Sequence, residues 1–140
     1  METNNLKQHT FNIAARHLLG RLDPNDRGQR KKSEGFFYNA QGEKIWGERY
    51  RGRLRRKCVI GILIPDSKYS EELEGKEVRN PLVLAAVGDE YSKDEDFLHG
   101  LQVIHDMKDE KHWLDELFYY AEKCGLHYPS DLLPPSDPKA

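Results

Sequence analysis

Four side chains near the C-terminus have the spacing of metal ligands. They recur at intervals of four, three and four residues, which would place all of them on one face of a continuous helix: His105, Asp109, His112 and Glu116. Imidazole and carboxylate groups of this kind bind zinc and other transition metals. The polar stretch MKDEK at 107–111 predicts instead that the helix is interrupted between them. We therefore expect a polar outer face with one half-buried histidine, and no metal site.

A thiol activated by a histidine is the second chemistry to consider. Cys58 and His105 supply the two groups, but such a pair requires a proximity in space that their positions in the sequence do not establish. Cys124 is the other cysteine, and it lies 66 residues after Cys58 without a CxxC motif. We predict two buried thiols rather than a disulfide framework or a thiolate zinc site.

The sequence also lacks the motifs of several common enzyme classes. It contains no Walker A loop, no dinucleotide-binding GxGxxG, no HExxH, no GxSxG and no EF-hand loop. We therefore expect a protein that is not an enzyme, with no catalytic residues and no cofactor.

Cations concentrate in one part of the chain. The stretch RYRGRLRRK at 49–57 holds six Lys and Arg in nine positions, and further cations upstream extend the basic segment to 27–57. Such a density suits a phosphate backbone, and the aromatic residues nearby would stack on unpaired bases. Aromatic and arginine side chains are also the usual anchors of protein interfaces. The predicted partner-binding residues are Trp46, Arg49, Tyr50, Arg51, Arg53, Arg55 and Arg56.

The two parts of the chain carry opposite charge. Residues 1–57 have 14 Lys and Arg against 6 Asp and Glu, a net charge of +8. Residues 58–140 have 8 against 18, a net charge of −10. A basic surface steers an anionic partner towards itself. The alternative is that the two parts attract each other within the fold, and the sequence leaves both open.

Length and composition favour one compact domain. The chain has 140 residues, of which 33% are charged, and no apolar run approaches the roughly 18 residues of a membrane span. Its N-terminus has neither the basic nor the apolar region of a secretory signal. We expect no membrane association, and a single globular domain over 1–127 that contains a mobile basic loop over 23–35. A Pro-rich tail is expected over 128–140.

Apolar periodicity predicts three helices, at 5–20, 93–107 and 109–124. Asn4 or Asn5 would cap the first helix, Ser92 and Glu95 form a capping box before the second, and Gly125 ends the third.

Between these helices, the pattern predicts a β-hairpin over 35–50 with Gly42 in its turn. The apolar run 58–65 favours a strand, with a short buried helix as the alternative, and 81–87 predicts one or two buried helical turns. The expected fold class is α+β: a mainly helical single domain with a central β-hairpin or small sheet and a C-terminal helical pair.

Short motifs in the middle of the chain follow one another in a recognisable order: YRG at 50–52, KCVIG at 57–61, LIPD at 63–66, Tyr69 and EGK at 74–76. This order resembles a family of small phage- and prophage-encoded proteins. The likeness extends outward to FNIAARHLL near the start, LQVIHD at 101–106, Trp113 and AEKCGL at 121–126, and spans about 100 of the 140 residues. The sequence departs from the family pattern in a longer and more basic insert at about 23–57.

The resemblance implies a phage origin rather than a particular chemistry. The matched residues have an architectural interpretation: Gly61 allows close packing, Pro65 and Asp66 end one element and cap the next, and Tyr69 packs beside a turn at Gly75. A small, charged, phage-like protein without catalytic motifs is expected to bind and block a host protein in the host cytoplasm, including anti-phage defence machinery. The alternative is a nucleic-acid-binding accessory protein that uses the basic segment 27–57.

Overall fold

The computed structural model describes residues 2–22 and 31–133, with side chains from residue 5 onward. Helices and strands follow one another in the order α1 (Glu2–Leu18), β1 (Glu34–Tyr38), β2 (Lys44–Glu48), α2 (Pro81–Val87), α3 (Glu95–Met107) and α4 (Trp113–Lys123). Short 3-10 turns fill the connections, among them Arg53–Arg55, Gly61–Leu63 and Glu110–His112. The predicted α+β class, with one small sheet and a C-terminal helical pair, is confirmed.

The core lies where α1, α3 and α4 meet. Apolar residues recur every three or four positions along each helix, so one face of each is apolar and is removed from water. Phe11 and Leu18 of α1, Leu101 of α3, and Trp113 and Leu117 of α4 are essentially fully buried. No helix in the described part of the chain is long and apolar enough to cross a membrane.

The ends of α1 and the cap of α3 differ from the prediction. Helix α1 begins at Glu2, ahead of the predicted cap at Asn4 or Asn5, and ends at Leu18. The cap of α3 is Asp94, whose carboxylate accepts the backbone N–H of Phe97 at 3.0 Å, so the predicted capping box is wrong. Asp94 also pairs with Lys7 of α1 at 2.8 Å, an interaction that ties the cap to the neighbouring helix.

Helix α4 starts later than predicted and stops as predicted. The chain forms a 3-10 turn at Glu110–His112 before α4 begins at Trp113. At the other end Gly125 has a φ of 70°, and the N–H of Leu126 donates to the carbonyl of Ala121 at 2.8 Å. This is the predicted Schellman end.

The apolar run after residue 57 is buried but is neither the predicted strand nor the alternative helix. The N–H of Cys58 donates to the carbonyl of Tyr50 at 3.2 Å, and the chain then turns through Gly61–Leu63. A Cβ at Gly61 would lie 1.9 Å from the Tyr50 carbonyl oxygen. The backbone bends here because the two segments touch main chain to main chain.

Two further segments complete the domain. Helix α2, predicted as a short buried helix, begins after Asn80, whose side chain accepts the N–H of Leu82 at 2.9 Å. The predicted tail starts at residue 128, yet Tyr128 and Leu132 are buried in the core. The domain therefore continues to at least residue 132, while 134–140 lie outside the described residues.

The predicted hairpin is confirmed as an antiparallel pair in which Phe36 lies opposite Trp46. Gly42 takes the positive φ of 77° that its turn requires. The predicted basic loop falls largely on residues 23–30, which lie outside the described residues, and β1 already begins at Glu34.

Candidate interaction surface

The motif residues of the middle segment converge on one buried carboxylate. Glu74 is 3% exposed and accepts the backbone N–H groups of Tyr50 and Arg51 at 2.8 and 3.2 Å. The hydroxyl of Tyr69 donates to the same carboxylate at 2.7 Å, and the Arg49 guanidinium lies 3.6 Å away. We call these five residues the Glu74 cluster. A buried carboxylate is tolerated when donors and a cation satisfy it in this way.

Arg51 extends the Glu74 cluster towards the LIPD segment. Its guanidinium donates to the carbonyl of Ile64 at 2.8 Å and pairs with Asp66 at 2.8 Å. The same group lies 4.6 Å from the centre of the Tyr69 ring, in a cation–π contact. Arg51 therefore holds two of the sequence motifs together instead of pointing away from the protein.

Two glycines of the same motifs stand where a side chain has no room. A Cβ at Gly52 would lie 2.5 Å from the backbone nitrogen of Glu34, and one at Gly75 would lie 2.8 Å from the Phe37 ring. Gly75 also has a φ of 78°. These contacts fit an architectural role for the glycines, but two details of the prediction are wrong. The ring beside Gly75 is Phe37 rather than Tyr69, and Asp66 does not cap the 3-10 turn that follows Pro65.

Arg49 shows how the opposite charges of the two parts of the chain are used. Its side chain passes Gly35, where a Cβ would lie 2.8 Å from Arg49 Cδ, and pairs with Glu71 at 2.6 Å. Burial by itself lowers the pKa of Arg49, but the hydrogen bond to Glu71 and the charge of Glu74 outweigh it and raise the pKa above its ordinary value. Arg49 and Arg51 thus favour the alternative in which the basic and acidic parts attract each other.

Tyr50 is likewise directed inward. It is 5% exposed, its hydroxyl donates to the carbonyl of Lys76 at 2.6 Å, and burial raises its pKa. Of the predicted partner-binding residues, Arg49, Tyr50 and Arg51 therefore lie in the Glu74 cluster, whereas Trp46, Arg53 and Arg55 are exposed and Arg56 is half-buried.

His105, one of the four residues with the spacing of metal ligands, is a fully buried core residue, and His112 is exposed, so the expectation of a half-buried histidine is wrong. His105 stacks on Trp113, and its Nε2 accepts the N–H of Ser33 at 3.2 Å, so Nδ1 carries the proton and donates to Asp106 at 2.7 Å. The hydroxyl of Ser33 donates to the carbonyl of Arg56 at 3.1 Å rather than to the imidazole. The bonds to the Ser33 N–H and to Asp106 fix the Nδ1-protonated tautomer of His105 and bring no nucleophile to its ring. Their contact with residue 33 was not predicted, because no pattern links positions so distant in sequence.

The predicted interruption of the metal-like spacing is confirmed. Helix α3 ends at Met107 and α4 begins at Trp113, so the four residues do not share a helix face. Within residues 2–22 and 31–133 no group of three His, Cys, Asp or Glu side chains is placed to hold a metal ion.

The two thiols differ in their surroundings. Cys58 is fully buried, its sulfur accepts the N–H of Gly61 at 3.2 Å, and burial raises its pKa. Cys124 is only partly buried, so the prediction of two buried thiols is wrong for this residue.

An aromatic surface lies on one side of the hairpin. Phe36, Tyr38 and Trp46 are 54%, 67% and 46% exposed, and the Phe36 and Trp46 rings meet edge to face at 4.9 Å. Lys44 Nζ lies 5.0 Å from the Phe36 ring centre and the Arg53 guanidinium 5.6 Å from the Trp46 ring centre. We call these five residues the aromatic face. Phe36 and Tyr38 were not among the predicted partner-binding residues, although their alternation with Phe37 is a signal for one shared face.

The turn beside the aromatic face is strained. Leu54 and Arg55 have φ values of 60° and 62°, the left-handed region that L residues other than Asn and Asp mostly avoid. Leu54 is 72% exposed, so no burial of its side chain offsets this cost of about 1 kcal/mol or more. Strain of this kind is found most often at binding and switch regions.

A cleft of about 550 Å³ lies between β2 and α3. Trp46 and Glu48 belong to its hairpin side, and Val103, Asp106 and Met107 belong to its α3 side. The cleft adjoins the aromatic face through Trp46. Comparison of the chain with family models, curated proteins and solved structures finds no match.

Proposed function

We propose that this chain is a small binding protein that docks on a host protein and blocks it, in the manner of a phage-encoded inhibitor, with anti-phage defence machinery as one class of target. Its place of action would be the host cytoplasm, and its means of action would be contact rather than a reaction. The exposed aromatic face of the hairpin is the observation that carries this proposal.

The aromatic face has the composition of an interface centre. Trp, Tyr and Arg dominate the binding energy of protein interfaces, and Trp46, Tyr38 and Arg53 occur together here. A monomeric protein seldom leaves large aromatic side chains grouped in water. Because Phe36 and Trp46 already contact each other, little side-chain freedom remains to be lost on binding.

The distribution of charge favours a protein over a nucleic acid as the partner. Arg49 and Arg51, which the sequence predicted as candidates for phosphate binding, form ion pairs with Glu71 and Asp66 of the same chain. The hairpin itself presents carboxylates, because Glu34 and Glu48 lie opposite each other in the two strands. These negative charges would repel a phosphate backbone.

Nucleic-acid binding is the second candidate, supported by two exposed rings that each have a cation beside them. Lys44 at Phe36 and Arg53 at Trp46 would suit stacking on unpaired bases. Such binding would weaken steeply between low and physiological salt. A gel-shift series with single-stranded DNA and RNA that detects no complex even at low salt would remove this candidate.

The first experiment compares the wild-type chain with Trp46→Ala and Arg53→Ala in capture from a bacterial lysate, followed by binding and inhibition of the purified captured protein. Each variant should weaken binding by about tenfold or more, since truncation of an interface anchor costs about 2 kcal/mol. Leu82→Ala and Tyr119→Ala are matched controls, because both side chains are exposed on helices outside the aromatic face.

The two groups of variants separate the proposal from a general surface effect. Control variants that lose binding while the hairpin variants retain it would contradict the aromatic face as the binding surface. A captured protein that binds the chain but keeps its full activity would contradict the blocking function. Circular dichroism confirms in each case that the variant is folded.

A further inference from the structure

The hydrogen-bonding register shows which backbone groups of the hairpin point away from it. Arg49 donates its N–H to the carbonyl of Ser33, and Asn39 donates to the carbonyl of Glu43. In an antiparallel pair the bonded positions alternate with positions whose N–H and C=O groups point outward. The odd-numbered residues are therefore bonded within the hairpin. The outward groups of β2 belong to Lys44, Trp46 and Glu48.

The outer edge of β1 is covered by the rest of the molecule. Arg49 donates to the outward carbonyl of Phe36, Gly52 packs against the backbone of Glu34, and Gly75 lies beside the carbonyl of Tyr38. Each even-numbered residue of β1 thus has a neighbour along its outer edge.

The outer edge of β2 is open. No residue within 2–22 or 31–133 forms a hydrogen bond with the outward backbone groups of Lys44, Trp46 or Glu48. The cleft of about 550 Å³ is lined by Trp46, Gly47 and Glu48 of β2 and, on its other side, by residues of α3. An uncovered edge of this kind is a template for pairing with another strand.

We infer that the strand that pairs with this edge is β2 of a second copy of this chain, in antiparallel register centred on Trp46. In that register Trp46 lies opposite Trp46 of the partner subunit, and all three outward residues of each strand meet outward residues of the other. Glu48 then lies opposite Lys44 of the partner subunit, and Lys44 opposite Glu48 of the partner subunit. The two hairpins form one four-stranded sheet.

Charge complementarity is the reason for choosing a second copy. Glu48 lies directly opposite Glu34 within the hairpin, and two like charges in that position repel each other. An incoming lysine beside Glu48 relieves this repulsion. The sequence KIWGE places a lysine and a glutamate symmetrically about Trp46. A two-fold axis between the two copies of Trp46 therefore pairs Lys44 and Glu48 of each chain with the opposite charge on the other.

The proposed pairing also determines what the dimer presents to other molecules. Phe36, Tyr38, Lys44 and Trp46 have their side chains on the same side of the hairpin. Strand addition therefore joins two aromatic faces side by side on one sheet without covering either of them. The dimer is independent of the proposed host target, and its test needs no host protein.

Sedimentation velocity of the full chain at several concentrations tests the proposal. An interface of three paired residues is small, so we expect a weak dimer whose fraction rises roughly between 10 µM and 1 mM. Lys44→Glu and Glu48→Lys should each weaken dimerisation by about tenfold, because each variant places like charges opposite each other twice. Lys111→Glu makes the same charge change as Lys44→Glu at an exposed position outside the hairpin. It should leave dimerisation unchanged.

Mixing the two variants gives the decisive result. Chains with Lys44→Glu carry two glutamates at the edge and chains with Glu48→Lys carry two lysines, so an equimolar mixture should recover dimerisation to the wild-type level. A wild-type chain that stays monomeric at about 1 mM overturns the proposal. A wild-type dimer that neither variant weakens, or a mixture that does not recover, overturns this register and this edge.

Discussion

The carboxylate of Glu74 accepts the backbone N–H of Tyr50 at 2.8 Å, across 24 positions of the sequence. This bond joins the end of the hairpin to the loop before α2. Both partners are buried, so water cannot replace either group if the other is lost. The acidic part of the chain therefore supports the basic part from inside the fold.

Glu74→Ala should destabilise the protein by about 3 kcal/mol, because it leaves two backbone N–H groups, the Tyr69 hydroxyl and the Arg49 guanidinium without their shared acceptor. Glu72→Ala is the matched control: Glu72 is exposed and contributes only its backbone carbonyl to Lys76, so its removal should change stability by less than about 0.5 kcal/mol. Urea unfolding measures both, and equal effects would contradict a supporting role for Glu74.

Gly61→Ala should cost more than about 3 kcal/mol, because its Cβ meets the backbone carbonyl of Tyr50, which cannot rotate away. Gly100→Ala provides the comparison. A Cβ there meets the hydroxyl and two ring atoms of Tyr120, a half-buried side chain that can shift only by weakening its hydrogen bond to the carbonyl of Phe97, while alanine favours the helix. Its net cost should be about 1 kcal/mol. If thermal unfolding ranks Gly100→Ala as the more damaging change, the main-chain contact at Gly61 is not the cause of the bend.

Thiol labelling of the native protein should distinguish the two cysteines. Cys58 is fully buried with a raised pKa, so it reacts only after the surrounding structure opens, whereas Cys124 is partly accessible. We expect Cys58 to react at least about a hundredfold more slowly than Cys124. Mass spectrometry of digested samples assigns each label. Rapid labelling of Cys58 without denaturant would contradict its burial, and full denaturation should bring the two rates together.

Acid should remove the stability that Asp94 contributes. The hydrogen bond from Lys7, partly opposed by burial, lowers the pKa of Asp94 below its usual 3.8. A lowered carboxyl pKa adds stability above the unfolded-state pKa, and that stability is lost as the pH falls through the folded-state value. Wild type should therefore exceed Asp94→Asn in thermal stability at pH 5 to 7, and the difference should shrink as the pH falls below 3.8 and vanish once it is below the folded-state pKa of Asp94.

Asp94→Asn retains a side-chain acceptor for the cap of α3, whereas Asp94→Ala does not. The alanine variant should lose about a further 1 kcal/mol, and this additional loss should persist at low pH. A difference between wild type and Asp94→Asn that is the same at every pH would exclude the ion pair as its source.

The elements that sequence reasoning predicted well are those whose signals are local. The hairpin was predictable because aromatic residues flank a glycine that can take a positive φ, and the end of α4 because Gly125 follows a helical apolar stripe. The cap of α3 was not, since Ser92 and Asp94 are both good caps and the choice rests on the contact between Asp94 and Lys7. The path of the chain after Cys58 was not predictable either, because it depends on a tertiary contact, the close approach of Gly61 to Tyr50.

The candidate surface was predictable in composition and only partly in position. The sequence located the cations and aromatics of the region, and Trp46 and Arg53 do lie on the aromatic face. It could not separate these from Arg49 and Arg51, because an arginine that pairs with a distant carboxylate looks the same in sequence as one in water. The sequence placed Glu74 in the EGK motif but did not indicate that its carboxylate is buried and accepts backbone N–H groups.

The Glu74 cluster holds the base of the hairpin, whereas the far end of the hairpin makes few contacts, and this separation bears on which residues can vary in sequence. Residues 40–46 are all exposed, so substitutions there remove little buried contact and cost little folding free energy, except at Gly42, whose positive φ disfavours other residues. The residues that hold the hairpin at its base lie elsewhere in the chain. A gene encoding this fold can therefore explore new loop sequences, and an engineer can graft them, while the same scaffold continues to fold beneath them.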